Sequence, residues 1–275
     1  MASASVTALA QIAAFANQAA PPAEARSRAS NAILDTIGVA LAGSIEPAAR
    51  IVRGALEPPD ARTLGLWDRR TSESFDRRTT GACSVWGTPH HVSAPDAALA
   101  NGTAAHALDF DDMCFVSLAH PSAPLVPAII AAGELVGASG RAVLAAYVVG
   151  FEIQARLGRL MNPRHYQRGW HCTSTLGVMS AAAGAGRLLG LDKAAIAHAL
   201  AIAASSASGL KENFGTMVKP LHVGLAARDG VMAALLAKGG MTASERAIDG
   251  PQGYLHALDS EREDLDREIL DLGRR

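Results

Sequence analysis

Three short segments of the chain carry residue types that can transfer protons or hold anions, and the first of them is acidic. Asp109, Asp111 and Asp112 stand within four residues, and His120 follows after a short gap. Carboxylates this close raise one another's pKa, so the cluster needs a physical reason. Three reasons are open: a solvated helix end, a site for a divalent cation, or one carboxylate that orients a catalytic histidine.

The second segment places His171 just before an alanine-rich stretch that is predicted to be helical. The first turn of a helix presents free backbone N–H groups and a positive dipole end, which favour an anion and lower the pKa of a nearby imidazole. This position predicts a docking point for a carboxylate. The alternative is a structural histidine beside Trp170, with Thr173, Ser174 or Thr175 acting only as the helix cap.

The third segment opens a long apolar stretch with Lys219 and His222. Residues three apart on a helix share one face, so the two side chains are expected to lie together. A lysine next to Pro220 among apolar neighbours predicts a cation that is directed into a pocket and holds an anion. The alternative is a side chain that runs along the apolar surface and reaches solvent.

Together the three segments favour a reaction that begins with removal of a proton beside a carbonyl or carboxylate. A metal-dependent hydrolase is disfavoured because no second acidic motif supplies partner ligands, so the sequence predicts no metal and no organic cofactor.

Helices must position these residues, because the sequence predicts an all-α fold. Hydrophobic residues make up 49% of the chain and aromatic residues 4%, and the excess is mostly alanine, which favours helix. The charged, proline-broken stretch 57–80 is predicted to be a surface loop. Apolar residues that recur every three to four positions predict an N-terminal amphipathic helix and helices over residues 22–41, 94–108, 124–136, 141–160, 172–189, 192–207, 219–238 and 260–272.

Composition and charge narrow the classes of function. Lys and Arg total 25 and Asp and Glu 26, so the chain has no global basic surface for nucleic acid or anionic lipid. The apolar runs are shorter than the ~20 residues of a membrane span, and the N-terminus lacks the basic start of a signal peptide. Three cysteines without C-x-x-C spacing suit a reducing compartment. A cytoplasmic protein with a small-molecule partner is predicted.

Three glycines in an alanine-rich stretch, Gly184, Gly186 and Gly190, raise the question of nucleotide binding. Their spacing fails the dinucleotide fingerprint, and no β-rich strand leads into them. Small residues at these positions instead predict that one helix crosses its neighbours closely.

Several strings of this sequence resemble the MmgE/PrpD family, in unbroken order from about residue 30 to 258. They are ILDTIGVALAGS, SAPDAALANGTAAHALDFDD, HPSAPLVPAIIAAGE, GWHCTSTLGVMSAAAGAGRLLGLD and KPLHVGLAARDGVMAALLAKGGMT. The resemblance implies a large all-α domain, a smaller α+β lid domain, a homodimer, and an active site in the cleft between the domains. It also implies a cofactor-independent lyase or isomerase that acts next to a carboxylate of a small di- or tricarboxylate.

Carried onto this sequence, the resemblance implies roles for individual residues. Asp109, His120 and His171 are the implied catalytic residues. Either His120 or His171 would act as general base and the other as acid, while Lys219 would stabilise the developing negative charge. The resemblance also implies that His120, His171 and Lys219 meet in one cleft with Asp109 behind them. Lys219 and His222 belong to the K-P-x-H motif, and both are implied to lie against the substrate, with Lys219 holding its carboxylate.

Met113 stands where the decarboxylase branch of the family has a threonine, and it is counted here among the substrate-binding positions. The gap that leads to His120 is also one residue longer than in that branch. The resemblance therefore favours dehydration, as in 2-methylcitrate dehydratase, or epimerisation over decarboxylation of cis-aconitate.

Residues 1–258 are predicted to form the helical domain, and residues 259–275 a charged helix or the truncated start of a connection to the lid. The lid itself is expected to be missing. A second function therefore stays open, that of a truncated, catalytically weak homologue that serves as a dimerisation or binding module. The missing lid favours this alternative, whereas the candidate site residues favour the enzyme.

Overall fold

The computed structural model describes residues 7–56, 81–258 and 265–274. The predicted surface loop at 57–80 and the first part of the predicted C-terminal helix, 259–264, lie outside the described residues. The structure is 67% helical, which confirms the prediction of a mainly helical chain.

The described helices follow one another with short connections. In chain order they are α1 (Ala8–Gln18), α2 (Ala23–Gly43), α3 (Pro47–Leu56), α4 (Ala94–Ala105), α5 (Ser122–Val136), α6 (Gly140–Met161), α7 (Arg164–Gln167), α8 (Cys172–Leu188), α9 (Lys193–Ser206), α10 (Val218–Lys238), α11 (Tyr254–Ala257) and α12 (Leu265–Leu270). A short antiparallel ribbon of β1 (Cys83–Ser84) and β2 (His91–Val92) precedes α4, and a 3-10 turn, Lys211–Asn213, precedes α10.

Capping residues fix several helix ends close to the predicted positions. The side chains of Ser93, Ser139 and Asp192 accept hydrogen bonds from backbone N–H groups in the first turns of α4, α6 and α9. Gly137, with φ 63°, ends α5 in the left-handed conformation. These signals explain why the long predicted helices agree with the observed ones to within a few residues.

Helix α8 forms the centre of the fold, since every residue from Cys172 to Gly186 is buried. It packs against α5, α6, α9 and α10. A Cβ atom on Gly184 would lie 2.6 Å from Ile129 Cγ2, which confirms the predicted close packing there. The packing prediction is wrong for Gly190, which lies beyond the end of α8 and makes a turn with φ 71°.

Helices α4 and α10 cross at backbone contact. A Cβ atom on Gly224 would lie 2.2 Å from Thr103 Oγ1 and 2.4 Å from the carbonyl oxygen of Leu99. On the facing helix, a Cβ on Gly102 would lie 3.0 Å from the Cα of Gly224. This crossing brings the C-terminal end of α4 close to the first turns of α10.

Helix α12 is held against α6 by a buried ion pair. Arg156 Nη1 donates to Glu268 Oε2 at 2.9 Å, and the Glu268 side chain is almost fully buried. The charged helix predicted over 260–272 is thus observed over Leu265–Leu270, and its end lies two residues before the predicted one. The predicted start lies outside the described residues. Among the described helices no single one could cross a membrane; α2 and α3, bent by 86°, meet the length and composition criteria only as a pair.

Candidate active site

Three helix ends bring the predicted site residues together. Helix α4 ends at His106, and the following loop carries the acidic cluster and His120. His171 is the residue that precedes α8. The first turns of α10 carry Lys219 and His222. The segments that the sequence singled out therefore meet where α4, α8 and α10 come together.

Asp109 lies at the front of this site and pairs with Lys219. Lys219 Nζ donates to Asp109 Oδ1 at 2.6 Å, and the Nε2 atoms of His106 and His120 each lie 3.8 Å from the same oxygen. Burial alone would raise the pKa of Asp109, but the hydrogen bond and charge of Lys219 outweigh it and lower the pKa. Asp109 also has a left-handed backbone with φ 57°, a conformation that aspartate tolerates better than most residues.

The expectation that Asp109 lies behind the histidines is wrong, because its side chain is 55% exposed and faces solvent. Asp111 holds that place instead, with a side chain that is 0% exposed. Side chains of adjacent loop residues point in different directions, and the left-handed turn at Asp109 directs its carboxylate outward while Asp111 turns inward. Lys219 and His120 do come together as expected, since both lie beside Asp109, and His171 joins them through the ring of His106.

Asp111 contacts two imidazoles from behind. His106 Nδ1 lies 2.8 Å from Asp111 Oδ2 and 3.0 Å from Oδ1, and His120 Nδ1 lies 3.2 Å from Oδ2 with poorer alignment. Burial would raise the pKa of Asp111, but the two histidines outweigh this effect and hold the pKa well below its usual range. An ionised carboxylate is therefore buried behind the site, and the interpretation as a solvated helix end is wrong for Asp111.

Asp112 takes no part in the histidine contacts. Its Oδ1 accepts a hydrogen bond from the backbone N–H of Ser122, and its Oδ2 accepts one from the Ser122 hydroxyl. The oxygen of that hydroxyl, Oγ, also lies 2.7 Å from the Tyr147 hydroxyl. Burial raises the pKa of Asp112 despite these bonds from Ser122. The three carboxylates of the cluster thus have three different surroundings, with Asp109 paired to a cation, Asp111 paired to histidines and Asp112 bonded at the start of α5.

Four histidine rings form a continuous cluster. The ring of His106 stands edge-on to that of His120, with centroids 4.8 Å apart, and is stacked on that of His171 at 5.7 Å. The Nδ1 atoms of His171 and His222 lie 3.2 Å apart. Phe214 packs edge-on against the His171 ring, with centroids 4.9 Å apart.

The two histidines proposed as acid and base differ in their electrostatic surroundings. Burial lowers the pKa of His171 to about 2, and the neighbouring histidines and Lys219 add to this effect. Burial would also lower the pKa of His120, but the proximity of Asp111 and the charge of Asp109 outweigh it and raise that pKa. Near neutral pH His171 is consequently neutral, while His120 holds its proton to higher pH than a free histidine.

A cavity of about 600 Å³ opens at the front of the site. His106, Asp109, Phe214 and Lys219 are among the residues that line it. His120, His171 and His222 are not among the residues that line it. A larger cavity of about 960 Å³ is lined by residues of α1, α2 and α6 and does not include the histidines.

Met113 and His222 fit their predicted roles unequally. The side chain of Met113 is 43% exposed and is not among the residues that line the front cavity. His222 is buried beside His171, and its pKa is lowered by burial and by the charge of His106. A role in substrate binding remains a prediction for both residues, and the cavity geometry gives Met113 no support.

Donor atoms that could hold a metal ion also occur here. One ligand atom from each of His106, Asp109, Asp111 and His120 lies within 4.8 Å of the others. The sequence argument that partner ligands are lacking therefore fails, because histidines supply them. Against a cation at this place, the ammonium of Lys219 already pairs with Asp109 and both oxygens of Asp111 face His106.

Sequence reasoning did not single out His106, Asp111 or Phe214 for a role of their own. His106 stands three residues before Asp109 and five before Asp111. The predicted helix 94–108 ends between His106 and these aspartates, and this closeness in sequence could have indicated that all three belong to one site. Nothing in the sequence marked Phe214, which reaches the site from the segment between the 3-10 turn and α10.

Comparisons with known proteins agree with this architecture. The family model described as the MmgE/PrpD N-terminal domain matches residues 7–265. Human cis-aconitate decarboxylase is 36% identical over 177 residues, which is 62% of this chain and 37% of the human protein. Cis-aconitate decarboxylase of Aspergillus terreus is 31% identical over 242 residues, 84% of this chain and 45% of that protein. The chain spans less than half the length of these curated relatives.

Proposed function

The chain belongs to the MmgE/PrpD family, and on that premise we propose that it forms the helical, site-bearing part of a lyase for a small tricarboxylate or dicarboxylate. The observation that carries the proposal is the convergence of one cation, Lys219, with histidines that differ in protonation state. Such a set can hold a carboxylate and move a proton beside it without a further catalyst.

Lys219 is proposed to bind a carboxylate of the substrate. Its ammonium is mostly buried, with 18% of the side chain exposed, and it opens onto the front cavity beside Asp109. A substrate carboxylate would take the place that Asp109 Oδ1 now holds next to Nζ. Charge that builds on that carboxylate after proton removal would then lie next to the cation.

The electrostatic surroundings suggest which histidine is base and which is acid. His171 is neutral, so a ring nitrogen is free to take a proton, whereas His120 keeps its proton and can donate it. With a pKa of about 2 the free His171 is a weak base, so the proposal requires the bound substrate carboxylate to raise that pKa. In a dehydration, the base takes the proton from the carbon next to the carboxylate, the electron pair forms the new C=C bond, and the hydroxyl leaves as water with the proton of His120. Because Phe214 packs against His171 at the cavity wall, this proposal requires Phe214 to move when substrate enters.

Two reaction types within the lyase class compete. Met113 at the threonine position favours a dehydration like that of 2-methylcitrate dehydratase. The relatives favour decarboxylation, since those of human and Aspergillus terreus are named cis-aconitate decarboxylases. In that reaction carbon dioxide leaves with cleavage of a C–C bond, and the carbon that keeps the electron pair takes a proton from His120. Epimerisation, in which the proton returns to the opposite face, is a third possibility.

An assay of the purified chain on 2-methylcitrate, cis-aconitate and iminodisuccinate tests the proposal. Release of carbon dioxide, formation of a double bond and change of optical rotation separate the three reactions. His171→Asn and His120→Asn should each abolish the turnover that wild type has. His198→Asn should leave it unchanged, because His198 lies on α9, away from the site, where its Nδ1 accepts a hydrogen bond from the Ala243 backbone N–H. Full turnover in both site variants would refute the assignment.

The same assay distinguishes the enzyme from the second candidate function, a dimerisation or binding module. A binding module would show no turnover on any of the three acids, yet it would still bind a carboxylate or a second chain. A homodimer and a cytoplasmic location are further parts of the proposal. Light scattering should give twice the chain mass of 28.4 kDa if the dimer forms.

A further inference from the structure

Asp111 is a buried carboxylate that contacts two histidines and does not itself line the front cavity. Its side chain is 0% exposed, and it is not among the residues that line the front cavity. Burial of a carboxylate is costly unless its oxygens are satisfied. Here they face the Nδ1 atoms of His106 and His120, so its contacts give Asp111 a role behind these two rings and no direct role at the substrate.

His106 occupies the middle of the histidine cluster. Its ring is also 0% exposed and lies between the rings of His120 and His171. With Nδ1 fixed by Asp111, the opposite nitrogen, Nε2, lies 3.8 Å from Asp109 Oδ1 and has no hydrogen-bond partner in the described residues. The ring therefore sets the distance between the two histidines proposed as acid and base.

The backbone makes this arrangement rigid. His106 is the residue that ends α4, and Asp111 follows after a loop that contains the left-handed Asp109. His120 is tied on the other side, since its backbone N–H donates to Thr173 Oγ1 on α8 at 3.1 Å. The contacts of His106, Asp111 and His120 thus connect the end of α4 with the start of α8.

We propose that Asp111 and His106 form a buried positioning pair that holds His120 and His171 in the arrangement needed for proton transfer. The proposal rests on the function proposed above. Asp111 accepts the Nδ1–H of His106 and so fixes the tautomer and the ring plane of His106. The ring of His106 then supports His120 on one side and His171 on the other.

The tautomer of His106 gives a test that needs no turnover. Long-range ¹H–¹⁵N spectra of the 275-residue chain, labelled at histidine, report which ring nitrogen carries the proton, and the signal missing from His106→Gln identifies residue 106. We expect the proton of the His106 ring to be found on Nδ1, the nitrogen that faces Asp111. A neutral ring protonated only at Nε2 would overturn the pair.

Kinetics of Asp111→Asn test the positioning role itself. The asparagine amide can donate to His106 Nδ1 and so impose the opposite tautomer. A comparable Asp→Asn change behind the histidine of serine proteases costs about ten-thousand-fold in kcat. We expect kcat to fall at least about a hundredfold with KM changed less than about threefold, because Asp111 does not touch the substrate. A rise in KM with kcat unchanged would contradict the proposal.

A second variant decides the question if Asp111→Asn does not fold. His106→Asn keeps a donor for Asp111 but removes the ring between His120 and His171, so kcat should fall at least about tenfold. KM is expected to change as well, because His106 lines the front cavity, and an unchanged kcat would contradict the proposal. His198→Asn is the matched control and should retain wild-type kcat and KM. If wild type turned over no carboxylate, the proposed function would fail, while the tautomer measurement would still decide whether the pair exists.

Discussion

Among the described residues that line the front cavity, Lys219 is the single lysine or arginine. Replacement by glutamine removes the charge but keeps most of the side-chain length. We expect Lys219→Gln to raise KM for a carboxylate substrate at least about tenfold, the loss expected when a charge-assisted contact worth ~1.5–3 kcal/mol disappears. Steady-state kinetics measure it, with Lys238→Gln at the other end of α10 as the control. Equal effects of both changes would argue against a specific role.

The dependence of turnover on pH follows from the two histidines. The pKa of His120 is raised above 6.5, so the acid form persists beyond that pH and is lost as pH rises through the raised value. The pKa of His171 is about 2, so its neutral form loses nothing on acidification through the range from about pH 5 to 7. We expect kcat/KM, which depends on the pKa values of the chain without substrate, to fall only on the alkaline side. A profile of wild-type kcat/KM against pH measures this, and a fall on acidification from about pH 7 to about pH 5 would contradict the assignment.

Activity is expected to persist without an added metal. The oxygens of Asp109 and Asp111 already pair with the Lys219 ammonium and with His106, so a cation would have to displace these partners. Assays after treatment with a chelator, with and without added Mg²⁺ or Zn²⁺, measure the effect. Loss of turnover that one of these metals restores would show that the four donor groups form a metal site.

The sequence predicted which residues form the site but not which of them are buried. Lys219 and His171 could be found because each combines a reactive side chain with a position at the start of a predicted helix, and His120 because it closely follows the acidic cluster. The exchange of places between Asp109 and Asp111 could not be foreseen, since it depends on a left-handed residue at Asp109 that no glycine or asparagine marks. The pairing of Asp111 with His106 was missed for the same reason.

At the scale of elements, the distance between α4 and α10 depends on Gly224. An alanine there would place its Cβ within 2.4 Å of backbone and side-chain atoms of α4, so the helices would have to move apart. We expect Gly224→Ala to destabilise the protein by about 1–3 kcal/mol and to lower turnover by shifting Lys219 away from Asp109. Denaturant unfolding and kinetics measure the two effects.

Gly38 offers the matched control for this change. It also lies inside a long helix, α2, but a Cβ there would meet nothing within 4 Å. Gly38→Ala should leave turnover unchanged and stabilise the protein by up to about 1 kcal/mol, because alanine favours helix over glycine. A similar loss of stability in both variants would show that helix geometry, rather than contact with α4, limits Gly224.

Long helices were predictable because their apolar period and caps are local signals. Ser93, Ser139 and Asp192 mark helix starts that the structure confirms through their side-chain hydrogen bonds. Helix α3 and the short helices α7 and α11 were not predicted. They have ten residues or fewer, and contacts with the rest of the fold decide such short elements more than their own sequence does.

At the scale of the whole molecule, the front of the site is open to solvent. Asp109 is 55% exposed, and the cavity beside it connects to the surface. Water that reaches the reacting carbon weakens the electrostatic stabilisation on which the proposed reaction depends. We therefore expect the 275-residue chain alone to be a weak catalyst. The measurement compares its kcat/KM with that of a fusion carrying the remaining length of the Aspergillus terreus relative, and equal values would contradict the expectation.

The pairing of Lys219 with Asp109 has a consequence for which acids the site can select. A ligand with one carboxylate gains a contact with Lys219 but loses the 2.6 Å contact that the chain already has, so its net gain is small. A ligand with two or three carboxylates can displace Asp109 and still make further contacts in the cavity. Asp109 then competes with the ligand for Lys219, so that only an acid with several carboxylates binds measurably. Calorimetric titration should therefore detect citrate but not acetate. Asp109→Asn should allow acetate to bind.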